Sequence, residues 1–235
     1  MTVDRLDEYF RTAAQNSEGQ QTSATIVTRR LRGLVAAFDR FAQHLNEPTT
    51  QVGAVFILAV HARHLAACLL TLSGHLREVY PVLRSGLESA MYALVLEEDD
   101  DLREAWFGRD SNAEALKRVR RELNHTSCLY ATVQRRNATL AEALKRSYEE
   151  SITLGAHPSP MAVAGSLRIV ESETRTEYSR PILGGSQLES AATFGNLVHY
   201  GANMLETVTL LMPERAAIHG IPQSIREARL PWGTG

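Results

Sequence analysis

The chain has 235 residues and a net charge of −2, with 44% hydrophobic, 22% charged and 6% aromatic residues. This composition excludes disordered and fibrous proteins, and the balanced charge gives no overall attraction to nucleic acid or to an anionic membrane. Two cysteines, Cys68 and Cys128, are too few to crosslink a chain of this size, so we expect reduced thiols. With no secretory signal pattern after Met1, a cytoplasmic location is expected.

Apolar residues at helical spacing predict the helices of the first half of the chain. They cover residues 3–16, 23–45, 50–73 and 75–98. The third helix is apolar around most of its circumference, which favours a central position, but its uninterrupted apolar run is shorter than the roughly 20 residues that span a bilayer. No membrane contact is therefore expected. Pro81 can start or kink the fourth helix.

The second half of the chain continues the helical pattern with one interruption. Helices are predicted at 102–107, 112–129, 138–154 and 186–212. Residues 162–183 alternate polar and apolar positions and favour a small β-hairpin or an ordered loop. Pro213 is expected to end the last long helix and to begin an irregular tail, with one or two helical turns at 224–229.

These elements predict an all-α fold, an antiparallel multi-helix bundle of six to eight helices with a small β-hairpin or loop insertion. We expect one domain over residues 1–235, with its core at about 23–212 and a tail at 213–235. The sequence contains no Gly-rich phosphate loop and no Gly-x-Ser-x-Gly turn, so no nucleotide cofactor and no serine nucleophile of that kind are expected.

Arg84 and Glu88 are four residues apart in the fourth helix and therefore share a face, which apolar Met91 and Val95 continue. An arginine and a glutamate beside apolar positions can form a mutually neutralising pair that orients an anionic or polar ligand. The same spacing suits a structural ion pair that ties this helix to a neighbour. Both interpretations stay open at the level of sequence.

His157 follows a predicted helix end that carries Tyr148. Because Pro158 excludes it from helical geometry, His157 lies on a stiff turn beyond the helix C-terminus. Such an imidazole can face a cleft and exchange protons, or it can cap the helix by bonding its last carbonyl groups.

Three blocks of the chain together resemble a group of uncharacterised bacterial all-helical proteins. The blocks are Pro81, Arg84, Ser85 and Glu88; Trp106, Phe107 and Arg109; and Gly155 to Pro158. The resemblance covers residue 74 to about residue 160. It implies a helical fold in which the three blocks converge, and it implies no particular activity. On this basis Arg84, Glu88 and His157 are expected to belong to one polar cluster.

Arg120 and His125 have an Arg-x4-His spacing, and Arg121 precedes the same histidine by four residues. In this respect the chain resembles the HEPN superfamily of helical nucleases and nucleotide-binding domains. The resemblance implies a metal-independent ribonuclease, acting as a dimer in a toxin or defence setting, with nucleic acid as its substrate. His125 would then be the general base toward a 2′-hydroxyl group and the arginine would stabilise the phosphorane.

His61, His64 and Cys68 share one face of the apolar third helix and are imidazole and thiolate ligands of the kind that zinc takes. No Cys-x-x-Cys or His-Glu-x-x-His pattern accompanies them, and buried helices often hold hydrogen-bonded histidines, so no metal is expected. Asn196, His199 and Asn203 form a second polar stripe, in the last long helix, which suits a satisfied core network or a cavity wall.

The hypothesis favoured by the sequence is a helical protein that binds a small polar molecule or a protein partner in one cleft. Its expected lining residues are Arg84, Glu88, Trp106, Arg109, Tyr148 and His157. The arginines would hold an anionic group, the tryptophan would stack, and His157 or Glu88 would transfer protons if a reaction occurs. The alternatives are the HEPN-like ribonuclease and a homodimeric scaffold whose polar cluster only fixes helix register.

Overall fold

The computed structural model describes residues 5–22, 25–43, 45, 51–123, 126–164, 167–172, 174–179 and 182–231. Over these residues the chain forms twelve α-helices and one two-stranded antiparallel sheet, which confirms the all-α bundle with a small hairpin. The helices are α1 Arg5–Thr22, α2 Ile26–Ala42, α3 Gln51–Ser73, α4 Val79–Glu98, α5 Asp100–Gly108, α6 Ala113–Leu123, α7 Thr126–Arg136, α8 Ala138–Ser151, α9 Pro160–Ala164, α10 Gln187–Thr209, α11 Pro213–Ile218 and α12 Ile221–Ala228.

The centre of the bundle is formed by α3, α4 and α10, which pack against one another and are surrounded by α2, α7, α8 and α12. Phe38, Leu83, Met91 and Tyr200 are fully buried there. The central position predicted for the third helix is therefore correct on one of its faces. By length and composition Val52–Ser73 could also cross a membrane, a test that the core helix of a soluble protein passes as well.

Local sequence signals set several helix ends. Ser186 caps α10 through a reciprocal capping box with Glu189, in which each side chain bonds the other residue's backbone N–H. Asn137 caps α8 and Asp99 caps α5, each by accepting a backbone N–H three residues later. These caps fix where α8 and α10 begin, and both helices carry polar residues described below.

The hairpin falls inside the predicted interval. Strand β1, Arg168–Glu171, pairs with β2, Thr176–Ser179, in antiparallel register, with Ile169 opposite Tyr178. The side chains described on both strands are exposed, so the hairpin contributes little to the core.

Four sequence predictions about helices were wrong. Helix α1 continues to Thr22 past Gly19, around which there is open space. Two helices, α6 and α7, replace the single helix predicted over 112–129; the join at 124–125 lies outside the described residues. The supposedly irregular tail contains α11 and α12, and the total therefore exceeds six to eight helices. The predicted break at Pro48 lies outside the described residues.

The tail is helical because its prolines stand in first helical turns, where a missing N–H costs nothing, and because α12 has a buried face. Ile221 and Ile225 of α12 are buried, and the helix packs on α2 and α10. Gly220 joins α11 to α12 with a φ of 67°, a conformation that favours glycine.

Candidate functional site

Arg84, Glu88 and Tyr148 form a closed hydrogen-bonded triangle, which we call the Arg84 cluster. The Arg84 Nε donates to Glu88 Oε1 at 3.0 Å, and its Nη2 donates to the Tyr148 hydroxyl at 2.6 Å. The Tyr148 hydroxyl in turn donates to Glu88 Oε1 at 3.0 Å. Arg84 and Glu88 lie one turn apart on α4 and Tyr148 lies on α8, so the cluster ties these two helices together.

The Arg84 cluster is bordered by a tyrosine that the sequence did not single out. The Tyr130 ring of α7 meets the Tyr148 ring edge to face, with centroids 6.3 Å apart. Its hydroxyl is buried and has no hydrogen-bond partner among the described residues. Burial, and then the charge of Glu88, raise the pKa of Tyr148 to about 12, and burial also raises the pKa of Tyr130. Both hydroxyls therefore stay protonated at neutral pH.

Trp106 and Arg109 contact each other. The Arg109 guanidinium lies 5.3 Å from the centroid of the Trp106 ring, and the centroid of the Phe56 ring of α3 also lies 5.3 Å from it. The stacking expected of Trp106 therefore involves this chain's own side chains. Arg109 also lies 3.5 Å from the carboxylate of Asp110. The contact with Phe56 holds α5 against α3. Trp106 and Arg109, which were expected to contact a ligand, thus contact side chains of this chain instead.

His157 is exposed and lines a different groove, of about 260 Å³, with Arg77, Glu78 and Gly155 among its neighbours. None of the three residues of the Arg84 cluster lines that groove. The predicted single cleft is therefore divided. The reason is the turn that follows α8: residues Ile152–Ala156 form a π-helical turn in which Gly155 packs on the Arg77 carbonyl, before the start of α4. His157 is thereby carried toward that end of α4.

A second, wider cavity lies beside this groove and shares Arg77 with it. It has a volume of about 910 Å³ and lies between the beginning of α4, the end of α8 and the beginning of α10. We call it the Glu150 cavity. Its lining residues are Leu76, Arg77, Tyr80, Glu150, Leu154, Met161, Leu167, Leu183, Gly184, Gly185, Ser186, Glu189, Ala192, Thr193 and Asn196. Concave sites with an apolar wall and a few convergent polar groups are typical of small-molecule binding.

Two hydrogen-bond donors from α10 converge on the carboxylate of Glu150. Tyr200 donates its hydroxyl to Glu150 Oε2 at 3.0 Å, and the Asn196 side-chain amide donates to Glu150 Oε1 at 3.3 Å. The same amide nitrogen donates to the Tyr80 hydroxyl at 3.2 Å. Burial raises the pKa values of Tyr80 and Tyr200, so both hydroxyl groups stay protonated at neutral pH. The carboxylate is thus held by neutral donors from α10.

A second carboxylate in the cavity is already neutralised. Glu189 accepts a hydrogen bond from the Arg77 Nη2 at 2.6 Å, and the Arg77 Nη1 donates to the Met161 carbonyl at 2.7 Å. The backbone N–H of Ser186 and the Arg77 guanidinium hold the pKa of Glu189 below its usual range. Glu150, by contrast, forms no ion pair with any of the residues described. The uncompensated charge of the cavity is therefore the carboxylate of Glu150.

The stripe of Asn196, His199 and Asn203 is divided between two environments. Asn196 lines the Glu150 cavity, whereas Asn203 is fully buried and bonds Ser147 Oγ at 3.1 Å. Asn203 also accepts a hydrogen bond from Arg229 at 2.7 Å. Both interpretations of the stripe thus apply, each to a different residue.

His61, His64 and Cys68 do not converge. His61 stacks on Phe38 with centroids 5.3 Å apart, and its Nε2 lies 3.5 Å from Asp39. His64 is fully buried, 3.8 Å from the Cys68 sulfur, and burial raises the pKa of that thiol to about 12. Among the described residues no three His, Cys, Asp or Glu side chains are grouped as a metal site.

Arg120, the first residue of the HEPN-like pair, is exposed on α6, whereas His125 lies outside the described residues. That part of the sequence analysis stays a prediction. Comparison with protein-family models, with curated proteins and with solved structures finds no match to this chain.

The sequence analysis missed the residues that line the Glu150 cavity, above all Arg77, Tyr80 and Glu150. Glu150 and Tyr200 are 50 positions apart, and Tyr80 and Asn196 are 116 apart. Neither spacing carries a local signal. The only available hint was Asn196, as a polar residue in an otherwise apolar helix.

Proposed function

We propose that this protein binds a small amphipathic molecule with a cationic amine in the Glu150 cavity. The single observation that carries the proposal is the unpaired carboxylate of Glu150, held at the cavity wall by the hydroxyl of Tyr200 and the amide of Asn196. Both donors are neutral, so no cation among the described residues already pairs with this carboxylate. An ammonium group would supply a charge-assisted hydrogen bond, which is about twice as strong as a neutral one.

The remaining wall of the cavity supports the amphipathic part of the proposal. Leu76, Leu154, Met161 and Leu183 line it together with Ala192. These side chains offer apolar surface to a hydrocarbon or aromatic group at roughly 25 cal/mol per Å² of area removed from water. A purely polar ligand would leave this wall unused, and a purely apolar ligand would leave Glu150 desolvated without a partner.

The Arg84 cluster has a structural role in this proposal, outside the binding site. It fastens α8 to α4 one turn beyond Tyr80, and α8 carries Glu150 near its end. Arg77 lines both the cavity and the small groove that contains His157, so a larger ligand could extend from one into the other.

The experiment is a thermal-shift titration of the full chain with straight-chain primary amines and with alcohols and carboxylates of the same lengths. The amines should raise the melting temperature most, since only they pair with Glu150. The Glu150→Gln variant should lose about tenfold or more in amine affinity while keeping its affinity for the alcohols. Glu142→Gln, an exposed glutamate of the same helix, is the matched control and should behave as the wild type.

Two results would contradict the proposal. One is equal stabilisation by amines and carboxylates in the wild type, because the charge of Glu150 would then play no part. The other is an amine affinity that survives in Glu150→Gln, which would locate binding elsewhere on the molecule.

A further inference from the structure

The side-chain amide of Asn196 has one orientation that suits its neighbours. Its Nδ2 lies 3.3 Å from Glu150 Oε1 and 3.2 Å from the Tyr80 hydroxyl oxygen. An ionised carboxylate only accepts hydrogen bonds, so the end of the amide that faces Glu150 must be the NH2 group. Because that group makes both contacts, the carbonyl oxygen Oδ1 of Asn196 takes no part in either of them.

The Oδ1 atom of Asn196 is an open acceptor on the wall of the Glu150 cavity. It accepts no hydrogen bond from the residues that the structure describes, and it is not among their buried polar atoms that lack a partner. Asn196 as a whole is partly exposed and lines the cavity. A carbonyl oxygen beside a carboxylate is a second acceptor for a ligand group that carries several donors.

Other polar side chains of the cavity wall are already occupied. Both oxygens of Glu189 accept hydrogen bonds, Oε1 from the Arg77 guanidinium at 2.6 Å and Oε2 from a backbone N–H at 3.0 Å. Thr193 is 4% exposed and donates its hydroxyl to a backbone carbonyl. Neither group is free to take the place of Asn196 as the second acceptor beside Glu150.

We propose that the Glu150 cavity selects primary ammonium groups over quaternary ones, and that Asn196 determines this preference. The inference rests on the proposed function and narrows its ligand class. A primary ammonium group has three N–H donors, so it can bond the Glu150 carboxylate and the Asn196 Oδ1 together. A trimethylammonium group has the same charge but no donor. It keeps only the attraction to Glu150 and leaves the Oδ1 atom desolvated without a partner.

The aromatic rings of the site offer no compensation to a quaternary ammonium group. Proteins bind such groups over the faces of aromatic rings. Tyr80 and Tyr200 are 3% and 0% exposed, so atoms of this chain already cover their faces. Size does not decide the preference, since a cavity of about 910 Å³ has room for either head group. The N–H donors are therefore the property by which the cavity distinguishes the two.

Calorimetric titration of the full chain with hexylamine and with hexyltrimethylammonium tests the proposal. The wild type should bind hexylamine at least about tenfold more tightly. Asn196→Ala should lower the affinity for hexylamine about tenfold and that for hexyltrimethylammonium less than about threefold, because only hexylamine bonds the Oδ1 atom. Gln187→Ala is the matched control. It removes an exposed amide of α10 that does not line the cavity, and it should keep the wild-type preference.

Asn196→Asp separates recognition of the ligand from orientation of Glu150. This variant keeps an acceptor oxygen at the position but removes the NH2 group that donates to Glu150. It should therefore retain the preference for hexylamine over hexyltrimethylammonium, whatever the two affinities become. Circular dichroism should show the wild-type helix content in both variants of Asn196, which is a partly exposed residue.

Two results would overturn the inference and leave the proposed function intact. One is equal affinity of the wild type for both ligands, lowered for both in Glu150→Gln, which would show that the cavity recognises charge alone. The other is a preference that is lost in Asn196→Asp as well as in Asn196→Ala, which would show that Asn196 acts only by holding Glu150. An affinity for hexylamine that is absent, or unchanged in Glu150→Gln, would instead overturn the proposed function and this inference with it.

Discussion

Tyr200, whose ring is fully buried in α10, donates its hydroxyl to the Glu150 carboxylate of α8 at 3.0 Å. A buried ring has few orientations open to it, so its hydroxyl fixes the carboxylate more firmly than an exposed donor would. The relationship joins the core of the bundle to the wall of the Glu150 cavity. It also makes the consequences of changing either residue predictable.

Tyr200→Phe should weaken amine binding about tenfold while leaving the fold intact. The variant removes one hydrogen bond and no packing volume, and the carboxylate of Glu150 remains solvated. The free energy of unfolding should fall by about 1 kcal/mol. Calorimetric titration with a primary amine measures the affinity, and urea unfolding measures the free energy of unfolding. Unchanged affinity would mean that Tyr200 does not orient the carboxylate.

Arg84→Met should lower stability without changing amine affinity. The substitution keeps an unbranched apolar side chain but removes the guanidinium, so Glu88 and the Tyr148 hydroxyl lose their cation. Because Arg84 and Glu88 are 29% and 33% exposed, solvent reduces the effect, and we expect about 1 to 2 kcal/mol by urea unfolding. Arg120→Met, an exposed arginine of α6, should change stability by less than about 0.5 kcal/mol. A loss of amine affinity in Arg84→Met with full stability would instead assign the cluster to the binding site.

Acidification should destabilise the protein through His64 before most carboxylates are protonated. Burial lowers the pKa of His64 to about 4, against an ordinary value of 6.5. Between these two values the unfolded chain binds a proton that the folded protein does not, so stability falls as the pH falls through this window. The full loss is about 3 kcal/mol at 1.36 kcal/mol per pH unit.

The measurement for His64 is the free energy of unfolding between pH 7 and pH 5, a range above the titration of most carboxylates. His61, whose pKa burial also lowers, adds a smaller slope of the same sign. His64→Gln should show a shallower pH dependence than the wild type, whatever its stability at pH 7. Equal slopes in His64→Gln and the wild type would refute the assignment.

Gly155→Ala should destabilise the protein and disturb the cavity margin. A methyl group at this position would collide with the Arg77 carbonyl, so the π-helical turn must shift. We expect a loss of about 1 to 3 kcal/mol. Gly33→Ala is the opposite case. It lies in α2 with nothing within 4 Å of the added carbon, and it should stabilise by roughly 0.5 to 1 kcal/mol. In thermal unfolding, Gly155→Ala should lower the melting temperature and Gly33→Ala should raise it.

The sequence by itself determined the helical class of this protein and most of its long helices. Helix α3 begins and ends within a residue of its predicted bounds at 50–73, and α10 starts one residue after its predicted beginning at 186. These features were accessible because helical periodicity and capping act over three or four residues. The Arg84 and Glu88 pair was accessible for the same reason, as neighbours one turn apart. The packed helices of the tail were missed because their stability comes from contact with α2 and α10.

Only the tertiary structure decided which polar residues meet. His157 and Arg84 looked like members of one cleft, but the turn at Ile152–Ala156 and the close approach of Gly155 to Arg77 carry His157 away from the Arg84 cluster. Glu150, Tyr200 and Asn196 converge although 46 or more positions separate the carboxylate from its donors. Such convergence depends on how α8 and α10 pack and on the direction each helix takes after its turn, and no local pattern encodes either. Which apolar residues of α3 are buried depends on the same packing, since the sequence alone makes the helix apolar around most of its circumference.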